Sequence, residues 1–110
     1  MENEDQIDRV TAVAGSGPGY VFELARAYIE AAKALGFSDE QASDLVLGTL
    51  DGSIRMILET GDTPENLRNS VTSKNGTTEA GLKALNGDGK LSALLKATTE
   101  AAYKRAIELR

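Results

Sequence analysis

Apolar positions recur at helical spacing along most of the chain. From Tyr20 onward, Val21, Leu24, Ala25, Tyr28, Ala32 and Leu35 keep the three-and-four interval that lines one face of a helix. Phe22 and Ile29 lie on another face, leaving a narrow polar stripe of Glu23, Arg26, Glu30 and Lys33. A helix apolar on so many sides, in a chain this short, implies that a second subunit covers part of it. Gly36 stops this helix, and Ser38 and Gln41 open the next with a capping box, each side chain serving the other residue's backbone N–H. Leu45, Val46, Leu50, Ile54, Ile57 and Leu58 then carry the apolar pattern to Gly61. Gly48 and Gly52 lie one turn apart on that helix. Each costs about 1 kcal/mol relative to alanine, so close approach of another helix is the expected reason for them, set against mere tolerance.

Thr63 and Pro64 supply a cap and a first-turn proline for a short helix to about Ser70. A further helix is expected from about Thr78 to Asn86, after which Gly87 and Gly89 break the chain. The last helix runs from about Leu91, with Leu94, Leu95, Thr98, Ala102 and Leu109 on one side. Lys96, Glu100, Lys104 and Glu108 form an i,i+4 ladder on the other. Only residues 9–14 hint at a strand. The pattern predicts an all-α domain of about five helices over residues 11–110, with residues 1–10 as a linker, native or added.

Composition narrows the function classes. A chain of 110 residues has room for one domain and one modest core. With 41% hydrophobic and 26% charged residues it is globular, and no apolar run approaches the ~20 residues that span a bilayer. The net charge is −5, and the twelve Lys and Arg residues are spread along the chain among acids rather than gathered into a patch, which argues against nucleic acid as a partner. There is no Cys and no His, so thiol chemistry, disulfides and the usual zinc sites are excluded, and no metal site is expected. The acidic start MENEDQID does not read as an export signal, so a cytoplasmic location is expected.

Two stretches stand out. GSGPGY, residues 15–20, invites a dinucleotide-binding reading, but the third glycine of the G-x-G-x-x-G pattern would fall at Tyr20 and no second strand follows. The alternative is a tight turn of Gly15, Gly17 and Pro18 into the first long helix. VTSKNGTT, residues 71–78, places Ser73, Asn75, Gly76, Thr77 and Thr78 ahead of a helix, and no strands flank Asn75-Gly76 to make a hairpin. Helix N–H groups, a glycine that lets the backbone come close, and uncharged hydroxyls suit a small carboxylate or phosphate. The competing reading is that Thr77 or Thr78 caps the helix while Asn75-Gly76 makes the turn. No acid, base or nucleophile is evident beside the loop.

Together, TAVAGSGPGYVF and PENLRNSVTSKNGTTEAGLKALN closely resemble the C-terminal domain of pyrroline-5-carboxylate reductase, from about Asp8 to Arg110. That family opens the domain with a segment like T-A-L-S-G-S-G-P-A-Y. Pro64, Leu67, Val71, Thr72, Ser73, Gly76, Thr78, Gly81, Leu82 and Leu85 fall in step with its substrate-loop motif. The resemblance implies an interlocking helical-bundle dimerisation domain of the 6-phosphogluconate dehydrogenase C-terminal-like type, forming a homodimer that in some relatives assembles further. It implies hydride transfer from NADPH or NADH to the C=N carbon of 1-pyrroline-5-carboxylate, giving L-proline. Ser73, Lys74, Asn75, Gly76, Thr77 and Thr78 would hold the substrate carboxylate, with the Thr78 hydroxyl close to the ring nitrogen as the catalytic group. Ser16 and Gly17 would lie near the nicotinamide end of the cofactor. That family's cofactor domain precedes this region and nothing before Thr11 could build it, so the chain is expected to be a C-terminal portion, inactive alone. Four positions depart from the family pattern: Lys74 stands where Pro is usual, Asn75 where Gly is frequent, Gly19 where Ala is usual and Ala14 where Ser is common. Lys74 cannot stiffen what proline stiffens, so a looser loop or weaker substrate binding is expected. A second reading from another class is a standalone, reductase-derived dimerisation or regulatory module without catalysis, told apart by dimers that do not bind proline.

Overall fold

A computed structural model of the chain describes residues 2–110. These form α1 (Glu2–Val10), a π-helical segment (Thr11–Gly15), α2 (Gly17–Ala34), α3 (Asp39–Thr60), α4 (Pro64–Ser70), α5 (Thr77–Asn86) and α6 (Lys90–Glu108), with no strand among the described residues. The all-α expectation holds. The hint of a strand at residues 9–14 does not: Val10, Thr11 and Val13 are β-branched, yet they lie in helical turns, and the Thr11 hydroxyl donates back to the Ile7 carbonyl at 2.8 Å. Residues 2–10, set apart above as linker, are helical. Asp5 and Arg9, one turn apart, pair at 2.7 Å and support α1 from its surface.

Several boundaries follow from the capping residues named above. Ser38 accepts from the Gln41 N–H at 3.2 Å while Gln41 accepts from the Ser38 N–H at 3.0 Å, so the capping box of α3 is complete. Gly61 ends α3 in the left-handed region at φ 68. Thr63 caps α4 through the Asn66 N–H at 3.1 Å, with Pro64 in the first turn. Asp62 adds to this cap by accepting from Asn66 Nδ2 at 2.9 Å and the Thr63 N–H at 2.8 Å, which hold its carboxyl below the usual range. At the far end, Glu108 pairs with Arg105 at 3.0 Å instead of extending the expected ladder.

The chain divides into two compact units, one of residues up to Phe22 together with Gly81–Arg110, the other Glu23–Ala80. In the first, α1, the π-helical segment and α6 pack on one another around Ala12, which is almost wholly buried. Pro18 explains the π-helical segment. Proline lacks an N–H and its ring excludes the carbonyl four residues back, so the ladder reroutes and the Ser16 N–H reaches Thr11 O at 2.8 Å. The Tyr20 hydroxyl satisfies the Ala12 carbonyl at 2.9 Å. In the second unit, α3 buries Ala42 and Val46. Lys33 near the end of α2 pairs with Asp39 at the start of α3 at 2.9 Å, across a turn in which Gly36 sits at φ 105.

α1 and α6 are also tied by charge. The Tyr103 hydroxyl donates to Asp5, and Arg110 donates to Asp8 at 2.7 Å. The Tyr103 hydrogen bond, then the charges of Arg9 and Arg110, hold the Asp5 carboxyl below its ordinary value of 3.8. A carboxyl depressed in the folded state stabilises it above the ordinary value, and that contribution is lost as pH falls through the folded value. The protection of the α1 amides, their exchange relative to an unstructured chain at the same pH, is therefore expected to fall on acidification below 3.8, and Asp5→Asn should lower it at neutral pH. Identical α1 exchange in Asp5→Asn and the parent chain at neutral pH would show that the tie does not hold this helix.

Candidate functional site

The loop between α4 and α5 is built by local hydrogen bonds. α4 ends as the Val71 and Thr72 N–H groups donate to Arg68 O and Asn69 O at 3.3 and 3.2 Å. The Thr72 hydroxyl donates to Arg68 O at 2.5 Å, keeping the last turn of α4 closed. The Gly76 N–H then donates to Ser73 O at 3.1 Å, closing a four-residue turn with Lys74 and Asn75 at its centre. Asn75 stands in the left-handed region at φ 62, a conformation in which asparagine and glycine are favoured. Gly76 has a steric reason: a Cβ there would collide with Ser73 Oγ and come within 3.2 Å of Ser73 O. Proline pre-sets the second position of such a turn and glycine is at ease in the third, so a Pro-Gly pair suits this geometry and Lys74-Asn75 reaches it with less restriction of the unfolded chain.

The turn delivers the chain onto the N-terminus of α5. The first backbone bond of that helix runs from the Ala80 N–H to Gly76 O at 3.2 Å, so the N–H groups of Thr77, Thr78 and Glu79 precede the helical ladder. Their shared partial positive charge favours an anion at this end. Ser73, Lys74, Asn75, Thr77 and Thr78 are exposed, while Gly76 and Glu79 are half-buried. The structure thus brings Ser73, Lys74, Asn75, Gly76, Thr77 and Thr78 together in one turn and the first helical residues. The raised Arg26 and Lys33 and the lowered Glu23 are explained by exposed ion pairs, Arg26 with Glu23 and Lys33 with Asp39.

Ser16 and Gly17 belong to the other unit. Ser16 is half-buried, and its carbonyl accepts from the N–H groups of Gly19 and Tyr20 at 3.1 and 3.4 Å. The GSGPGY stretch is therefore the join between the π-helical segment and α2, as the turn reading anticipated in substance. The dinucleotide pattern fails because Tyr20 stands where its third glycine would be and because no strand precedes it among the described residues. Sequence reasoning passed over Tyr20 as a supporting residue; the hydroxyl bond to Ala12 O has no short-range signature that would announce it.

What kind of protein this is follows from the faces that stay uncovered. Ala12, Ala42 and Val46 are the buried hydrophobic residues among those described, whereas Phe22 is 72% exposed and Leu58 75%. Exposed apolar side chains of this size mark an interaction surface rather than a self-contained core. The family model for pyrroline-5-carboxylate reductase dimerisation matches residues 4–109, and this chain belongs to that family. It is 46% identical over 109 residues to the pyrroline-5-carboxylate reductase of Pseudomonas aeruginosa, covering 99% of this chain and 40% of that relative. It is 43% identical over 110 residues to pyrroline-5-carboxylate reductase 2 of Bacillus subtilis, covering 100% of this chain and 39% of the relative. A solved pyrroline-5-carboxylate reductase from Coxiella burnetii superposes with a TM-score of 0.90 at 44% identity, over 96% of this chain and 38% of that one. The Plasmodium falciparum enzyme, solved with NADP bound, superposes with a TM-score of 0.87 at 29% identity, over 93% of this chain and 38% of its own. The chain thus spans about two-fifths of the length of the curated relatives it matches.

Proposed function

We propose that this chain is the dimerisation and substrate-binding part of a cytoplasmic pyrroline-5-carboxylate reductase, which reduces 1-pyrroline-5-carboxylate to L-proline with NADPH or NADH. The observation that supports this reading is the Ser73–Gly76 turn, which sets exposed hydroxyls beside the first N–H groups of α5 in a chain of this family. The substrate is a flat five-membered ring bearing a carboxylate. Thr77, Thr78 and Ser73 hold that carboxylate, and the Thr78 hydroxyl orients the ring nitrogen or holds a proton at it. An imine is already an electrophile, more so when protonated, so the site needs alignment more than a nucleophile, and the lack of His and Cys is no obstacle.

A reduced nicotinamide supplies the hydride when bound. The described residues do not fit the dinucleotide as a whole, because without a strand they offer no strand, glycine turn and helix to cradle its phosphates. Ser16 and Gly17 would meet the nicotinamide end only. On this reading the chain alone is inactive, and a second copy covers the exposed apolar faces of α2 and α3 in a homodimer.

Titration of the isotope-labelled chain with L-proline tests the reading. Saturable shifts of the amides from Ser73 to Glu79 are expected. A chain that dimerises yet shows no shift there would instead be the non-catalytic module.

A further inference from the structure

The sequence contains two Asn-Gly pairs, Asn75-Gly76 and Asn86-Gly87, and the structure treats them very differently. In such a pair the backbone nitrogen of the glycine can attack the side-chain carbonyl carbon of the asparagine. The new N–C bond closes a succinimide, the bond from that carbon to Nδ2 breaks, and ammonia leaves carrying the displaced proton. Water then opens the ring at either carbonyl, giving aspartate or isoaspartate. Glycine permits the attack because it has no side chain in the way and its backbone turns freely.

Both asparagines are exposed, so exposure does not separate them. Their tethers do. Asn86 ends α5 with its carboxamide clamped to the start of α6: Nδ2 donates to Ser92 Oγ at 3.1 Å, and Oδ1 accepts from the Ser92 N–H at 3.1 Å and its hydroxyl at 3.4 Å. The nitrogen that would attack, that of Gly87, is spent on a bond to Lys83 O at 2.9 Å. Asn75 sits at the tip of the turn, and the Gly76 N–H is held only by the single 3.1 Å bond that closes it. Opening that turn breaks one surface hydrogen bond, whereas freeing Asn86 requires undoing the clamp between two helices.

We infer that Asn75-Gly76 is a site of spontaneous deamidation and that Asn86-Gly87 is protected from it by Ser92. The pair at the turn is a by-product of its geometry. The left-handed φ of 62 favours asparagine, and the space taken by Ser73 Oγ demands glycine at position 76. Conversion places a negative charge at position 75, and isoaspartate also lengthens the backbone of the turn. The consequence for activity rests on the proposed role of this loop: a carboxylate at position 75 repels the carboxylate of the substrate.

The test is to incubate the chain in mildly alkaline buffer and follow both asparagines by peptide mass spectrometry with isoaspartate detection. Asn75 is expected to convert about tenfold faster than Asn86, and Ser92→Ala should accelerate Asn86 while leaving Asn75 unchanged. Equal rates at the two sites, or faster conversion at Asn86, overturn the inference. Asn75→Asp in the complete reductase is expected to raise the KM for the imino acid about fivefold with a smaller change in kcat. An unchanged KM despite rapid conversion of Asn75 would overturn the effect on activity and, with it, the placement of the substrate carboxylate in this loop; the modification itself would stand.

Discussion

Thr78→Ala in the complete reductase is expected to lower kcat by about tenfold or more, the usual size of a lost proton-transfer or orienting contact. Thr78 is the second residue of α5 and is exposed, and alanine is the better helix former, so the substitution should leave the fold intact. Steady-state kinetics separate the roles open to the side chain. A hydroxyl that only holds the carboxylate contributes equally to ground and transition states, and its removal raises KM with kcat unchanged. A hydroxyl aligned on the ring nitrogen acts where the bonding changes, so kcat falls. Thr78→Ser keeps the hydroxyl and should recover most of the loss. Parent-like kinetics in Thr78→Ala would remove this residue from the mechanism.

Gly52→Leu is expected to weaken self-association by roughly 100-fold. Within the chain a Cβ on Gly52 or Gly48 meets nothing within 4 Å, so the close approach expected of another helix does not come from the chain itself. The substitution should not harm the isolated fold, and it removes a mid-helix glycine that costs about 1 kcal/mol. If a second copy packs against this face, the added side chain overfills the contact at about 1–3 kcal/mol, and a two-fold interface suffers it twice. Sedimentation equilibrium reads the difference directly, with Gly52→Ala expected to lie between the parent and Gly52→Leu. An unchanged dissociation constant would mean that the interface does not run over Gly52.

How far the fold was legible depended on the range of the interaction involved. The start of α3 was legible because Ser38 and Gln41 complete each other's hydrogen bonds over three residues, and Thr63, Pro64 and Gly61 act over equally short spans. The turn at the candidate site was legible for the same reason, since Asn75 and Gly76 are selected by a backbone conformation that closes over four residues. What escaped was longer in range or cooperative. α1 read as a polar start because its mean composition is hydrophilic, although the Asp5 and Arg9 spacing was a helical signal. The π-helical segment read as a possible strand because β-branched residues prefer strands where no neighbour intervenes, and here α6 packs on them.

The sequence by itself determined where α3 and α4 begin and where α3 ends, the shape of the turn before α5, and the surplus of apolar side chains over what one small domain can cover, because each depends on neighbours within a few residues or on composition. Only the tertiary structure decided that residues 2–10 join the fold, that Tyr20 serves the Ala12 carbonyl, and that Tyr103 and Arg110 reach Asp5 and Asp8 across 98 and 102 positions. Such pairs carry no local pattern. Their partners are set by how the helices pack, and packing is a property of the whole chain.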